Sequence, residues 1–252
     1  MKFNIVIVWL IFFSSILQAA GAVDYYDDLV MRNGLYFLKF SDDPFSGVVS
    51  GIKSGKIIKG KREGLWHEYW DNGQLADKGF FSDGVRTGSW EGYWENGQLW
   101  NSGQYKTGQR EGLWKLYYSN GVVWGHGAFK VGKRHGFWVE YFKNGKMWSE
   151  GKYKNGERQG LWVEYYDHGA LAQRGNYVGG LEDGYWEVFW EHEQLRYKAE
   201  WSLGQEVGQW SIYRRDGSLC KSSDDVLNLG WSFFDKNGVV VTELPFGHRC
   251  FD

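Results

Sequence analysis

The chain has 252 residues and a formal net charge of −2 at pH 7, so its charge gives no reason to expect nonspecific binding to nucleic acid. It contains 16 Trp, 16 Tyr, 16 Phe and 36 Gly but only 2 Pro. This composition is typical of many short strands joined by glycine turns, and it argues against disorder and against a helical protein.

Residues 1–22 are predicted to be a secretory signal peptide. Lys2 supplies a short positive region, Ile5–Leu17 is an apolar run, and Ala20-Gly21-Ala22 offers a cleavage site. The apolar run is short for a membrane span, and no cysteine follows the cleavage site to carry a lipid anchor. We therefore expect export to the periplasm, the cell envelope or the medium, with an uncleaved N-terminal anchor as the alternative.

Residues 23–63 form a lead-in to a repeated region. Tyr36–Phe40 and Phe45–Ile52 are rich in aromatic and β-branched residues, which predicts two strands. Gly55 and Ile57 occupy the glycine and aromatic positions of the repeat that follows, so the lead-in ends as a degenerate half-copy. An atypical first unit of this kind can cover the open edge of a repeat array.

A Gly-x-Trp motif recurs every 24 residues without insertion or deletion, and seven copies fill residues 64–219. A fixed period of this length indicates a repeat architecture. We number the copies one to seven by their repeat tryptophans, which are Trp66, Trp90, Trp114, Trp138, Trp162, Trp186 and Trp210.

Each copy reads as one β-hairpin and a turn to the next copy. In copy four, Gly136–Lys143 and Lys146–Lys154 are strand-like. Asn144-Gly145 is predicted to form a two-residue type I′ turn, and Asn155-Gly156 is predicted to form a second two-residue turn. In copy six His192-Glu193 replaces the Asn-Gly tip, which predicts a looser turn or one of another type. Stacked hairpins predict an all-β fold, an elongated single-layer antiparallel β-meander of 24-residue repeats.

Two-residue turns fix a register in which Trp138 pairs with Gly151, and the glycine leaves room for the indole to lie across the neighbouring backbone. The same register pairs Phe142 with Met147 and Tyr153 with Arg158. Alternation of side chains then defines two faces, of which we expect the tryptophan face to be buried. The tryptophan face carries Trp138, Phe142, Met147, Tyr153 and Arg158, and the other face carries Phe137, Tyr141 and Trp148.

The pattern Gly-Leu-Trp-x-x-Tyr-Tyr-x-Asn-Gly-x-Leu followed by Gly-x-Tyr-Lys-x-Gly-x-Arg-x-Gly resembles the MORN repeat, in the variant found in bacterial YwqK-family antitoxins. Gly160–Leu171 and Gly151–Gly160 match this pattern most clearly, and the resemblance extends from about Gly55 to Leu219. It implies a scaffold for protein or lipid contacts. The antitoxin name implies a toxin partner in the cytoplasm, which conflicts with the predicted export.

Chemical motifs are absent from the sequence, which contains no Gly-x-Ser-x-Gly, P-loop, His-Glu-x-x-His or Cys-x-x-Cys. Glu68, Glu140 and Glu164 recur on the tryptophan strands, where a solvated strand face explains them better than acid–base catalysis. His168 and His192 replace Asn at successive tips, as turn substitutes rather than metal ligands. We therefore expect no catalytic residue, no cofactor and no metal, and thus a protein that is not an enzyme.

Two columns of residues are candidates for binding. The first contains Arg86, Arg110, Arg134 and Arg158, spaced by about 10 Å because neighbouring copies are two strands apart. At the same position, copies six and seven carry Glu182 and Glu206. The favoured interpretation is that each arginine stacks on its cross-strand aromatic partner, and the alternative is a strip for an anionic ligand or an acidic partner. The cross-strand partners are Phe81, Tyr105, Phe129 and Tyr153.

The second column consists of Trp100, Trp124 and Trp148 with Tyr93, Tyr117 and Tyr141, all predicted on the face opposite the repeat tryptophans. Such a row, if exposed, marks an interaction site, although packing within the sheet also explains it. The function expected is an exported, non-enzymatic scaffold that presents an aromatic-rich face to a protein partner and not to nucleic acid. The alternatives are a binder of glycans, of the cell envelope or of lipid headgroups, and an antitoxin-like protein.

Residues 220–252 are predicted to cap the other end of the array. Cys220–Leu229 breaks the period, and Gly230–Val239 is a last copy shortened by one residue. Cys220 and Cys250 are the only cysteines, and in an exported protein such a pair is expected to form a disulfide. The alternative is two unrelated buried thiols.

Overall fold

The computed structural model describes residues 22–223, 231–241 and 250. Most of the predicted signal peptide and most of the C-terminal cap therefore lie outside the described residues. Within the described ranges, all regular secondary structure is β-strand. The same ranges contain no helix that is long and apolar enough to cross a membrane.

Five short strands precede the regular hairpins. They are β1 (Val23–Asp24), β2 (Leu29–Arg32), β3 (Leu35–Leu38), β4 (Gly47–Ser50) and β5 (Lys53–Ile58). The hairpins of the seven copies are β6 (Lys61–Tyr69), β7 (Leu75–Ser82), β8 (Val85–Tyr93), β9 (Leu99–Lys106), β10 (Gln109–Tyr117), β11 (Val123–Lys130), β12 (Lys133–Tyr141), β13 (Met147–Lys154), β14 (Glu157–Tyr165), β15 (Leu171–Val178), β16 (Leu181–Phe189), β17 (Leu195–Ser202), β18 (Gln205–Tyr213) and β19 (Leu219–Ser223). The shortened last copy contributes β20 (Trp231–Phe234) and β21 (Val240–Val241).

The sheet is an open meander in which each strand from β4 to β21 pairs antiparallel with the next strand in sequence. Strand β1 joins β4 in parallel, which gives 19 strands in total. Strands β2 and β3 form a separate two-stranded hairpin. The predicted all-β antiparallel meander of stacked hairpins is thus confirmed.

The turn at each hairpin tip differs from the prediction. The Phe142 N–H donates to the Lys146 carbonyl at 2.8 Å, and the Gly145 N–H donates to the Phe142 carbonyl at 2.9 Å. Gly145 has a φ of +83°, whereas Asn144 keeps a negative φ. These features define a three-residue loop with a glycine bulge instead of a type I′ turn. Met147 accordingly pairs with Tyr141, and the predicted pairing with Phe142 is wrong.

A bulge between Glu140 and Tyr141 absorbs the additional loop residue. Beyond this bulge the register returns to the predicted one, and Trp138 pairs with Gly151. The tip of copy six keeps the same geometry, because Glu193 adopts a φ of +66° and the same two hydrogen bonds close the turn. The looser turn predicted there is therefore wrong.

The turn between copies is confirmed as a two-residue turn, and it is of type I′. Asn155 and Gly156 have φ values of +55° and +92°, and Tyr153 pairs with Arg158. Past this turn two residues, Gly160 and Leu161, are inserted in the strand between the pairings of Gln159 and Trp162. Gly160 has a φ of +69°, a left-handed conformation that favours glycine. This requirement explains the glycine of the Gly-x-Trp motif.

Each repeat indole is seated on a glycine of the preceding strand. A Cβ added to Gly127 would overlap the Cγ, Cδ2 and Cε2 atoms of Trp138. The indole Nε1–H donates to the backbone carbonyl of Ala128 at 2.9 Å. Glycine therefore leaves room for the indole as predicted, but the indole of Trp138 lies over Gly127 rather than over Gly151, which seats Trp162. The same arrangement buries Trp66, Trp90, Trp114, Trp138, Trp162 and Trp186 to at most 5 % exposure.

Copy seven shows what happens without that glycine. Ala199 pairs with Trp210 and is fully buried. Trp210 remains only half-buried and instead stacks on Tyr197, with ring centroids 5.8 Å apart. A single methyl group at the glycine position thus accompanies the loss of the deep indole site.

The buried indoles form one continuous aromatic row. Four of them pack edge to face between two further aromatic side chains of this row, and Trp66 and Trp186 at its ends each pack against one, with ring centroids 5.0–6.4 Å apart. This geometry suits the quadrupoles of the rings. The side chains that alternate with the indoles are Phe81, Tyr105, Phe129, Tyr153 and Tyr177.

We expect the protein to be elongated in solution, because each copy contacts only its neighbours. Fourteen strands from β6 to β19, spaced by about 4.8 Å, span about 70 Å before twist is considered. Small-angle X-ray scattering should therefore give a radius of gyration well above the roughly 18 Å of a compact chain of this length. A value near 18 Å would contradict the single extended sheet.

Candidate binding face

An arginine lies over every repeat indole in the first five copies. The guanidinium carbon is 4.2–4.6 Å from the centroid of the tryptophan four residues later on the same strand. It is 5.0–5.5 Å from an aromatic ring on the strand that follows. These arginines are Arg62, Arg86, Arg110, Arg134 and Arg158, and Arg62 extends the predicted column by one copy.

This stacking corrects one sequence interpretation. Arg134 pairs across the strands with Phe129 as predicted, but its guanidinium reaches over Trp138 and Tyr153. The side chain extends along its own strand, past the glycine bulge, toward the tryptophan of its own copy. The arginine column therefore lies on the buried-tryptophan face and covers the aromatic row.

Three of these arginines are held by a carboxylate six residues later. In each case Nη1 lies 2.7 Å from a glutamate Oε1. Glu140 is the most buried of the three at 3 % exposure, and its Oε2 accepts a hydrogen bond of 2.8 Å from Ser149 Oγ. The explanation of these glutamates by a solvated strand face is thus wrong, since they are at least partly buried and neutralise guanidinium groups that are partly buried as well. The pairs are Arg62–Glu68, Arg134–Glu140 and Arg158–Glu164.

The pKa shifts in this column follow from burial and pairing. Burial alone would raise the pKa of Glu68, but the hydrogen bonds and charges of Arg62 and Lys53 outweigh burial and hold that pKa below its usual value. Burial raises the pKa of Tyr177, against the opposing charge of Arg158. The Arg62–Glu68 pair therefore stabilises the charged form of both partners, since the pKa of Arg62 is raised and that of Glu68 is lowered.

Copies two and three lack the glutamate, because Gly92 and Leu116 occupy its position. Asp77, which pairs with Gly92, lies near Arg86; burial raises the pKa of Asp77 and the charge of Arg86 opposes that rise. In copy three the residue equivalent to Asp77 is Asn101, which is also neutral.

In the part of the chain that the structure describes, Arg86 also forms no ion pair, but Asp77 lies near it, so Arg110 is the arginine of this column with no carboxylate at either position. Among the described residues, no carboxylate forms an ion pair or hydrogen bond with Arg110. Its guanidinium packs against the rings of Trp114 and Phe129. A positive charge thus remains available on this part of the face.

The predicted aromatic column is divided between the two faces. Trp124 lies under the guanidinium of Arg134, at 5.4 Å to the ring centroid, and packs against the buried aromatic row. Trp100 rests on Gly92, where a Cβ would overlap its Nε1. Both side chains therefore lie on the face of the repeat tryptophans, because each occupies the bulge at the base of its hairpin. Trp148 occupies the same bulge position in copy four and contacts Phe142, with centroids 6.3 Å apart.

The tyrosines of that column stay on the opposite face. Tyr141 stacks on His126 with ring centroids 5.8 Å apart, and Tyr93 hydrogen-bonds to Glu91. The single predicted row is wrong for a physical reason: one residue inserted at the bulge reverses the face of the tryptophan but leaves its tyrosine neighbour in place. Tyr117 occupies the equivalent position in copy three.

The tryptophans and arginines of copies two to four enclose a hollow of about 430 Å³ on the repeat-tryptophan face. We call it the Arg110 hollow. It is lined by Trp94, Trp100, Arg110, Leu116, Tyr117, Tyr118, Trp124, Phe129 and Arg134. The hollow therefore combines three indoles with one guanidinium that lacks an acidic partner.

The hairpin tips are joined copy to copy by side-chain hydrogen bonds. Each tip asparagine from copy one to copy four donates through Nδ2 to the carbonyl 23 residues later, at 2.7–3.2 Å. His168 and His192 bond through Nε2 to the equivalent carbonyls of Glu191 and Arg215 at 3.0 and 2.9 Å. The histidines thus reproduce the role of asparagine. Within the described residues, no group of three or more potential ligands is placed to hold a metal.

The opposite face carries an apolar column that the sequence reasoning did not single out. In five of the seven copies an exposed apolar side chain follows the bulge glycine, with exposures from 44 % to 77 %. Its signal was present in the sequence, because the middle residue of Gly-x-Trp is apolar in five of the seven copies. These residues are Leu65, Leu113, Phe137, Leu161 and Tyr185.

At the C-terminal end the structure joins Cys220 to Cys250 by a disulfide, with their Cα atoms 5.6 Å apart. Cys220 lies in β19 and is fully buried. Both cysteines pack with Ile212, and Tyr197 packs against this cluster. Cys250 is the described part of the predicted tail.

These features define a class of protein, the open array of β-hairpin repeats. Its copies are joined by indoles that pack on glycines of the preceding strand and by hydrogen bonds between successive hairpin tips. The family model described as MORN repeat variant matches the chain five times, at residues 62–83, 86–107, 110–130, 134–155 and 158–178. The chain thus contains five segments that match the MORN repeat variant, and its hairpins continue through β19 beyond the matched segments. No curated protein matches the chain, and no homologue supports the narrower resemblance to YwqK-family antitoxins.

Proposed function

We propose that this protein is an exported, non-enzymatic scaffold that binds a protein partner on its repeat-tryptophan face, around the Arg110 hollow. The observation that carries this proposal is the combination of Trp94, Trp100 and Trp124 with a guanidinium that lacks an acidic partner. Aromatic side chains and arginine are the residues that dominate the energetics of protein interfaces. The predicted signal peptide supports action outside the cytoplasm.

The structure of the face favours binding because its exposed and half-buried indoles are held in fixed positions. Trp94 is 38 % exposed, and its Nε1–H donates to the Tyr117 carbonyl at 3.2 Å. Trp100 rests directly on the backbone of Gly92, and Trp124 packs on the buried aromatic row. Side chains that are ordered before binding lose little conformational entropy when a partner arrives, which increases affinity.

The proposal is tested by capture of partners on the immobilised mature protein from periplasmic, envelope and medium fractions of the source cells. The wild-type chain is compared with a Trp100→Ala/Trp124→Ala variant and with Leu161→Ala, which removes an exposed apolar side chain from the opposite face. We expect the wild-type chain and Leu161→Ala to retain the same protein, and the double tryptophan variant to lose it. Mass spectrometry identifies the retained protein.

Two results would contradict this assignment. Loss of the partner with Leu161→Ala alone would place the interface on the opposite face. Aromatic rings also stack on sugars, so the same three chains are applied to a glycan array. Tryptophan-dependent binding to the array without capture of any protein would replace the protein scaffold by a glycan-binding function.

A further inference from the structure

The acidic partner of the arginine differs from copy to copy along the arginine column. In copies one, four and five a glutamate six residues later supplies the partner, at 2.7 Å from Nη1. In copy two Arg86 forms no ion pair among the described residues, but Asp77 pairs across the strands with Gly92, the residue at the glutamate position, and burial raises the pKa of Asp77 against the opposing charge of Arg86. In copy three both equivalent positions are neutral, because Leu116 and Asn101 replace the acids. The aromatic surroundings of the arginine are nevertheless retained.

We propose that the Arg110 hollow binds the carboxylate of a glutamate or aspartate side chain from the protein partner, with a neighbouring apolar side chain of that partner against Trp100 and Trp124. The partner would supply in trans the group that Glu140 supplies in cis to Arg134 one copy later. This inference rests on the proposed function and names the chemistry that the face recognises.

The hollow fits an apolar side chain that ends in a single negative charge. Leu116 and Phe129 contribute apolar surface beside Arg110, which suits the methylene groups of a glutamate. The second guanidinium at the hollow, Arg134, is already neutralised by Glu140. A doubly charged phosphate would therefore meet one available positive charge and one buried carboxylate nearby.

The polar groups around the hollow disfavour a sugar ligand. The Trp94 Nε1–H is bonded to the Tyr117 carbonyl, and the Tyr118 hydroxyl donates to the Tyr141 carbonyl at 2.8 Å. These groups are thus not available as donors to a row of sugar hydroxyls, each of which needs a partner when it is desolvated. A carboxylate on an apolar side chain needs only the guanidinium.

The probe is a pair of immobilised pentapeptide libraries in which glutamate or glutamine is fixed at the centre and apolar residues vary on both sides. Binding is measured with the mature wild-type chain, Leu116→Glu, Leu116→Gln and Arg110→Gln. We expect the wild-type chain to prefer glutamate-centred peptides roughly ten- to hundredfold, the range of a hydrogen bond to a charged group. This preference should decrease as salt is raised, since the charges are partly exposed.

Leu116→Glu is the decisive variant, because it places a carboxylate where Glu140 stands in copy four. It should occupy Arg110 internally and abolish the preference for glutamate, while Leu116→Gln, equal in size, should retain it. Arg110→Gln should abolish the preference as well. Urea unfolding verifies that each variant is folded, and Leu116→Glu is expected to fold because copy four already buries the same pair.

Equal binding of glutamate and glutamine peptides by the wild-type chain would overturn the inference, as would full glutamate preference in Leu116→Glu. If partner capture is lost with Trp100→Ala/Trp124→Ala but unchanged in Arg110→Gln and Leu116→Glu, the scaffold function stands and the carboxylate recognition fails. If binding that depends on Arg110 occurs only with acidic sugars on the glycan array, the peptide ligand is likewise rejected.

Discussion

Trp138→Ala is expected to lower the free energy of unfolding by about 3–5 kcal/mol. The indole is fully buried, is seated on the backbone of Gly127, and packs edge to face against Phe129 and Tyr153. Its removal leaves a cavity that the glycine cannot fill, and it also leaves the Ala128 carbonyl without the indole donor. Urea unfolding followed by circular dichroism measures the loss.

The matched control is Trp210→Ala, the same position in copy seven. Trp210 is only half-buried because Ala199 occupies the glycine position, so its removal should cost clearly less. Trp148→Ala, at a hairpin base of copy four, removes another half-buried indole and should also cost less than Trp138→Ala. Equal losses at Trp138 and Trp210 would show that the glycine seat is not the source of the stability.

The seat itself is tested by exchanging the two small residues. Gly127→Ala should displace the indole of Trp138, since a Cβ there overlaps the ring. Ala199→Gly should in turn allow Trp210 to bury more deeply, which a blue shift of tryptophan fluorescence would report. Each exchange changes one methyl group, so its effect is attributable to the approach of indole and backbone.

The 24-residue repeat and the packing of the indole on a glycine can be predicted from the sequence, because the first depends on the tryptophan positions and the second on the glycine. Trp138 and a glycine on the neighbouring strand are the two residues that allow an aromatic ring to lie on a backbone. Asn155-Gly156 likewise indicates a two-residue turn, because both residues tolerate positive φ. These features are local, and local chemistry decides them.

The face on which each side chain lies is harder to predict, because the residue types at a bulge do not indicate that a bulge is there. Asn144-Gly145 is compatible both with a type I′ turn and with a three-residue loop, since glycine takes positive φ in each. The choice of the longer loop inserts one residue beside Tyr141 and moves Trp124 and Trp148 relative to their tyrosine neighbours. A one-residue shift reverses a face, so the candidate column was divided.

The buried ion pairs escaped prediction for a different reason. Arg134 and Glu140 are six residues apart, which on a regular strand suggests two solvated side chains of the same face. Their burial depends on Ser149 and Tyr153 of the following strand, whose side chains complete the hydrogen bonds. Contacts between strands can be predicted only when the pairing register is known, and that register depends on the positions of the bulges. The neutral residues Leu116 and Asn101 of copy three are informative only by comparison with these ion pairs.

Loss of the disulfide is expected to cost about 3–4 kcal/mol, because the bridge joins residues separated by 30 positions and restricts the unfolded chain. Cys220→Ser should lower the free energy of unfolding by this amount in the mature protein. The matched control is Cys220→Ser/Cys250→Ser, which should be about as stable as the single variant and, unlike the wild-type chain, should not respond to reductant.

Thiol titration of the denatured wild-type protein without reductant provides the direct chemical measurement, and we expect no free thiol. Two free thiols, or equal stability of the wild-type chain and Cys220→Ser, would contradict the bridge. Cys220 lies in β19, the strand on which the shortened last hairpin of β20 and β21 is built. Removal of the bridge should therefore loosen the C-terminal end of the sheet first. An unpaired edge can then recruit other chains, so aggregation should rise at temperatures at which the central copies remain folded.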